Sequence, residues 1–215
     1  MAFLRVGVGP DSYTVRGAMV GLRPLQVADY GSWAELRGKS RDHLTPWEPL
    51  WLSDELDKSS YRRRLRHYVR EQREDLGYAF GIYRSRDNIL MGGVSLSNVR
   101  RGVTQTASLG YWLALPFLQQ GYMSDAVAAM IAFAFFDLRL HRIEAATLPD
   151  NVASIRVLER NCFTREGFAR HYLKINGVWK DHILFGLLIE DVNREAAGND
   201  AAQAGSRHTE GMAAL

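Results

Sequence analysis

The residues best placed to do chemistry gather near the middle of the chain, in Gly110-Tyr111-Trp112-Leu113-Ala114-Leu115-Pro116-Phe117-Leu118-Gln119-Gln120-Gly121-Tyr122-Met123-Ser124-Asp125-Ala126. A strand is expected to end near Leu113, and a turn bearing Gln119, Gln120 and Gly121 feeds directly into a helix. The first N–H groups of a helix have no partner within it, point outward and favour an anion. Gly121 would let the backbone approach a phosphate closely. No lysine or hydroxyl stands where a P-loop needs one, and the spacing is not that of a dinucleotide fingerprint. By itself, a glycine before a helix also marks an ordinary turn.

Two other stretches carry candidate groups. Asn151 and Ser154 lie three apart at the start of an expected helix, with Ile155 and Leu158 continuing the same face. On spacing alone they read as a cap, Asn151 at the cap position and Ser154 satisfying an orphan donor. Glu48 sits in Pro46-Trp47-Glu48-Pro49, where the prolines stiffen the loop. Glu144, Glu166 and Asp181 are further carboxylates, and such groups in apolar-rich surroundings more often form ion pairs or caps than act as bases. Cys162, before Phe163, reads as packing rather than as a thioester-exchanging nucleophile. His141 and His182 have no second ligand or acid at a supporting spacing and read as structural, and no metal site is expected.

These groups need a scaffold. Leu22-Arg23-Pro24-Leu25 reads as a strand end, and Asp29 as the cap of a helix with Trp33 and Leu36 on one face. Asp54 to Leu76 places Tyr61, Leu65, Tyr68, Val69, Gln72 and Leu76 at helical spacing, with Gly77 as the stop. Strand-like runs follow at Tyr78–Arg84, Ile89–Leu96 and Ala107–Leu113, and their short breaks imply antiparallel neighbours. The pattern then becomes helix (about 124–137), strand (Arg142–Thr147) and helix (about 152–161), which suggests a parallel pair joined by a crossover helix. Arg165–Ile175 and Val178–Ile189 form a hairpin turning at Asn176-Gly177. The expected fold is α/β: a mixed, mostly antiparallel sheet with one parallel junction at its centre and helices on both faces.

A chain of 215 residues suits one domain, expected over residues 1–195 and followed by a loose small-residue tail over 196–215. Its single cysteine excludes an internal disulfide and a multi-cysteine metal site. The most apolar run, Ala126 to Phe136, falls short of the roughly 20 residues that span a bilayer. No basic start with a long apolar run suggests a signal peptide, so a cytoplasmic protein without a membrane partner is expected. The net charge is only +3, but Arg62-Arg63-Arg64-Leu65-Arg66 is locally dense. It reads first as the solvated face of a helix, and second as a footprint for RNA or a ribosome surface.

The central stretch resembles the coenzyme A-binding motif of the GNAT superfamily of N-acetyltransferases. Gly121 matches it, while Leu118 and Met123 depart from the general form. Within that superfamily the chain resembles the RimJ/RimL ribosomal-protein N-terminal alanine acetyltransferases. The matching segments are His43-Leu44-Thr45-Pro46-Trp47-Glu48-Pro49, Ser97–Gly102, Leu109-Gly110-Tyr111, His141-Arg142-Ile143 with Pro149, Asn151 and Ser154, and the Arg165–His182 hairpin. They cover roughly residues 20 to 190, in order.

The resemblance implies direct attack of an amine on the thioester of acetyl-CoA, bound between two splayed parallel strands, Ala107–Leu113 and Arg142–Thr147. Trp112, Leu113, Gln119, Gln120, Gly121, Tyr122, Met123, Ser124 and Asn151 are then the cofactor-binding candidates, with backbone N–H groups near Trp112 and Leu113 on the pantetheine. Ser154 becomes the acid for the leaving thiolate. The tyrosine that many of these enzymes use one helical turn further on is Leu158 here, and the hairpin glutamate of the RimL relatives is Leu173. Glu48 remains as the catalytic carboxylate candidate, in a loop walling the acceptor end. The implied acceptor is a protein or peptide N-terminus, that of a ribosomal protein among them. A small-molecule amine acetyltransferase (polyamine or aminoglycoside) and a ribosome-binding assembly factor retaining the fold stand as alternatives.

Overall fold

The structure, a computed structural model, describes residues 14–192; the expected tail over 196–215 lies outside them. The strands are β1 (Val15–Arg16), β2 (Val20–Arg23), β3 (Tyr78–Arg84), β4 (Leu90–Arg100), β5 (Thr106–Leu113), β6 (Arg142–Thr147), β7 (Thr164–Ile175) and β8 (Val178–Leu188). The helices are α1 (Tyr30–Lys39), α2 (Arg41–Leu44), α3 (Lys58–Arg73), α4 (Tyr122–Ala132) and α5 (Val152–Arg160). The strands form one sheet in the order β1-β2-β3-β4-β5-β6-β8-β7. Every neighbouring pair is antiparallel except β5 and β6.

Alternation along the strands feeds two cores. On β3, Ile82 joins the larger one, with Met91, Ile143, Phe185, Val127 and Met130. Its neighbour Tyr83 faces the other way, into a smaller core with Trp33, Tyr61 and Leu90. Each of these side chains is almost completely enclosed, which contributes about 1.5–3 kcal/mol apiece for the aliphatic ones. Trp33 and Tyr61 pack with ring centres 4.8 Å apart, holding α1 against α3.

Several boundaries differ from the sequence expectation for local reasons. Helix α3 begins at Lys58, because Asp57 is still extended at ψ 144°. Only Tyr61 of its expected apolar face is buried; Val69 on the helix and Leu76, which lies past its C-terminal end, are about half exposed. Helix α4 ends at Ala132 and widens into a π-type turn over Phe133–Asp137, closed by the Leu138 N–H on the Phe133 carbonyl, which seats Phe133 and Phe135 in the core. Strand β4 runs on to Arg100, past Asn98, which adopts a left-handed φ of 51°. Asp29 precedes α1 but does not cap it with its side chain. Its carboxylate turns back to Arg23, with two bonds of 2.9 Å, and to the Gln26 N–H at 2.7 Å.

Helix α4 is tied to the N-terminal hairpin by one carboxylate. Asp125 accepts the N–H groups of Ala18, Met19 and Val20 at 2.9, 2.7 and 3.0 Å. Among the described residues, no helix is long and apolar enough to cross a membrane.

Candidate active site

The parallel junction holds for only three residue pairs: Thr106 with Arg142, Ala107 with Ile143, and Ser108 with Glu144. Beyond them β5 stays bonded to β4 up to Leu113, while β6 stays bonded to β8 up to Thr147. The two neighbours therefore part, and a gap opens toward their C-terminal ends. The Ala114 N–H donates to the Met91 carbonyl at 2.9 Å. Alternation in an antiparallel ladder then turns the Trp112 N–H toward β4 and those of Tyr111 and Leu113 toward the gap. Of the two backbone donors read from the sequence, Leu113 faces the gap. Trp112 does not; Tyr111 takes that place.

Past the end of β5 the chain makes the expected turn. Gln119 and Gly121 both adopt left-handed backbone, at φ 58° and 83°. The first helical bond of α4 runs from the Asp125 N–H to the Gly121 carbonyl. That leaves the N–H groups of Tyr122, Met123 and Ser124 without an acceptor inside the helix. The Tyr122 and Met123 side chains are buried, so these residues offer only backbone. Gln120 is turned onto the Pro116 carbonyl at 3.0 Å, and Ser124 accepts from Asn161 at 3.1 Å, which joins α4 to α5. Outward N–H donors, and Gly121 with no side chain, fit a phosphate group here.

Across the gap stands α5. Asn151 caps it, its side-chain Oδ1 accepting the Ser154 N–H at 3.1 Å. The Ser154 hydroxyl caps nothing. It lies 2.8 Å from the Tyr111 hydroxyl, which also reaches the Ser154 carbonyl at 3.3 Å. Burial pushes the Tyr111 phenol up to about 12, against a smaller downward pull from Ser154.

On the opposite face of the sheet, Trp112 lies over Gly93, where a β-carbon would come within 2.5 Å of the indole nitrogen. Here a cleft of about 400 Å³ is lined by Trp33, Trp51, Trp112, Tyr68, Arg37, Glu48, Glu55 and Arg64, and reaches Gly110 and Tyr111 on β5. Glu48 lines it as the sequence suggested, but in company. Both arms of Arg37 bind it, at 3.1 and 2.6 Å, and the Trp51 indole donates to it at 2.8 Å. Arg64 holds Glu55 at 2.5 Å. The two carboxylates of the cleft are thus matched by two guanidinium groups. A second cleft, of about 610 Å³, lies between Pro46, Trp47, Leu148, Pro149 and the hairpin residues Ile175, Val178 and Trp179. Residues 46–51 of one loop wall both clefts, and the Asn176 N–H fastens the hairpin turn to the Glu48 carbonyl at 2.8 Å.

Residues 20–164 match the family model described as an acetyltransferase (GNAT) domain. The chain belongs to the GNAT acetyltransferase family. It is 38% identical over 177 residues to the "Probable N-acetyltransferase YjcK" of Bacillus subtilis, covering 82% of this chain and 98% of that protein. It is 31% identical over 167 residues to the [ribosomal protein uS5]-alanine N-acetyltransferase of Escherichia coli, covering 77% and 86%. Among solved structures it is similar to Mycobacterium smegmatis RimJ in complex with CoA-disulfide, at a TM-score of 0.77, 30% identity and 86% and 91% coverage. It also resembles the ribosomal-protein-S5-alanine acetyltransferase of Vibrio fischeri, at 0.74, 32%, and 80% and 94%.

In this GNAT domain the remaining candidates fall outside the gap. Glu144 and Glu166 both bind Arg142, at the paired end of the junction. Asp181 lines the second cleft and accepts the His171 N–H at 2.8 Å. His182 is buried against Tyr172, and Cys162 packs against the main core. Tyr111 and Arg37 were not singled out from the sequence. The strand parity of Gly110-Tyr111-Trp112 carries a signal for the first, because it sends Tyr111 and Trp112 to opposite faces. No local signal marks the second, since Arg37 meets Glu48 through tertiary packing.

Proposed function

We propose that this acetyltransferase uses acetyl-CoA to acetylate the α-amino group of a protein or peptide N-terminus, of the ribosomal-protein kind. The observation that carries the acceptor class is the pair of clefts sharing the 46–51 loop, which offers room for a chain running on from the reacting amine. A compact amine would need only the first. A polyamine would also favour unpaired carboxylates, whereas Glu48 and Glu55 are each matched by arginine.

On this reading the backbone at Gly121–Ser124 holds the pyrophosphate of acetyl-CoA, with Gln119, Gln120 and Asn151 around it. The N–H groups of Tyr111 and Leu113 hold the pantetheine arm and polarise the thioester carbonyl. The thioester is the chemistry the bound donor supplies. Ser154 donates the proton to the leaving sulfur. Glu48 keeps a lone pair beside the cleft and orients the incoming amine by accepting its hydrogen bond, rather than stripping a proton outright, because three donors already share its charge. The proposed setting is cytoplasmic, where N-termini of new chains are available.

The ribosome-surface reading of the arginine run gains less. Arg63 binds Asp54 and Arg64 binds Glu55, so half of the run is spent within the fold. Acetyl-CoA turnover with a panel of N-terminal peptides, polyamines and aminoglycosides tests the proposal. Faster turnover of a polyamine or an aminoglycoside than of any peptide would overturn it, and binding to ribosomes without turnover of any amine would point to the assembly-factor role.

A further inference from the structure

We infer that Tyr111 is a positioning residue for the proton-donating step, holding the Ser154 hydroxyl toward the gap and refilling it with a proton. The inference rests on the proposed role of Ser154. The two hydroxyls sit 2.8 Å apart and bridge the elements that diverge, Tyr111 on β5 and Ser154 at the start of α5. Asn151 fixes the Ser154 backbone from the other side.

The chemistry explains why a serine acid would need such a partner. An aliphatic hydroxyl is a much weaker acid than a thiol, so serine alone would be left as an unstable alkoxide. Either hydroxyl can donate in the Tyr111–Ser154 bond, and the phenol is the stronger acid of the pair. When Tyr111 donates, the serine's own O–H is free to point elsewhere, into the gap. As the carbon–sulfur bond breaks, Ser154 gives its proton to the departing sulfur and takes the Tyr111 proton. Tyr111 is left as phenolate. The proton released by the acylated amine returns to it through Ser154 and solvent, so the sum is one proton moved from nitrogen to sulfur. Burial raises the phenol to about 12, which keeps it protonated between turnovers and drives the phenolate to take its proton back. Leu158, one turn beyond Ser154, cannot serve in its place.

The test compares Tyr111→Phe, Ser154→Ala and the double variant by single-turnover rate, by calorimetric affinity for acetyl-CoA and by rate against deuterium fraction of the solvent. Tyr111→Phe keeps the ring and loses only the hydroxyl. It should slow turnover about tenfold, the worth of one hydrogen bond of about 1.4 kcal/mol, with affinity for acetyl-CoA unchanged. The double variant should be no slower than Ser154→Ala. The solvent isotope dependence should be curved in the parent protein, where two protons move together, and linear in Tyr111→Phe. If Ser154→Ala is slow while Tyr111→Phe matches the parent rate, the inference fails and the serine acid survives. If the two losses multiply in the double variant, Tyr111 acts elsewhere and the inference fails too. If Ser154→Ala turns over at the parent rate, the serine reading itself is wrong, and this inference falls with it.

Discussion

Arg37 grips Glu48 with both guanidinium arms while wedged between two indoles, its central carbon 4.5 Å from the Trp51 ring centre and 4.9 Å from that of Trp112. Arg37 is almost fully buried and Glu48 largely so, and the pair therefore matters more than a surface ion pair would. Arg37→Met would strand the carboxylate at the wall of the first cleft. The expected cost is about 3 kcal/mol in denaturant unfolding. Glu48→Gln should cost less, because Glu55 still lies 3.8 Å from Arg37. If Glu48 orients the amine, as proposed, Glu48→Gln raises the acceptor KM several-fold and lowers kcat little. A kcat loss of a thousandfold with an unchanged KM would instead make Glu48 the base.

Gly121 stands at a φ of 83° immediately before the unpaired N–H groups of α4. Gly121→Glu places a side chain and a negative charge in the proposed pyrophosphate site, on a backbone that disfavours both. Binding of coenzyme A measured by calorimetry should vanish, while circular dichroism stays native. Unchanged affinity in a folded variant would remove this turn from the site.

Asp29 and Arg23 form a second enclosed pair, at the edge of the smaller core. Burial alone would push the Asp29 carboxyl up, but the Arg23 hydrogen bonds, the Gln26 N–H and the Arg23 charge together hold it below its usual range. A carboxyl depressed in the folded state contributes stability above its unfolded value near pH 4, and loses it as pH falls through the folded value. Asp29→Asn should therefore cost about 3 kcal/mol at pH 7. Its deficit against the parent protein should shrink steadily below about pH 4. A deficit that stays constant to pH 2 would show that the charge contributes nothing.

The strands and the crossover were legible because period-two and helical spacings report burial directly. Tyr78–Arg84 and Arg142–Thr147 stand in the structure where the pattern put them. Helix α3 was overdrawn at both ends, since the helical spacing of Val69 and Leu76 says nothing about where the helix stops or whether either side chain is covered. The turn at Gly121 could be read because an unpaired helix start is a local property. The Tyr111–Ser154 pair could not, because 43 residues separate its members and only the placement of α5 beside β5 brings them together. The same holds for Arg37: its partners Glu48, Trp51 and Trp112 meet it through the packing of α1 on the sheet, which no single spacing encodes.

The acceptor's own acidity supplies the last prediction. A peptide α-amine has a pKa of about 8, so roughly one molecule in ten is already neutral at pH 7; a lysine amine near 10.4 is neutral in only about one in 2,500. The first cleft offers no spare carboxylate to remove a proton: Arg37 and Trp51 share Glu48, and Arg64 holds Glu55. The aliphatic side chains of Leu158 and Leu173 supply neither an acid nor a base. An enzyme so equipped can use an amine that arrives neutral, and works poorly on one it must first deprotonate. Peptides beginning with Ala or Ser should be acetylated at the α-amine, with little transfer to an internal lysine of the same peptide. Ser154→Ala should lower kcat roughly 10- to 100-fold, at the low end of general acid catalysis, with affinity for acetyl-CoA unchanged. Mass spectrometry of a peptide carrying both amines locates the acetyl group. Lysine labelled as fast as the N-terminus would mean that a base stands within reach of the cleft, and that the balanced ion pairs do not set the substrate.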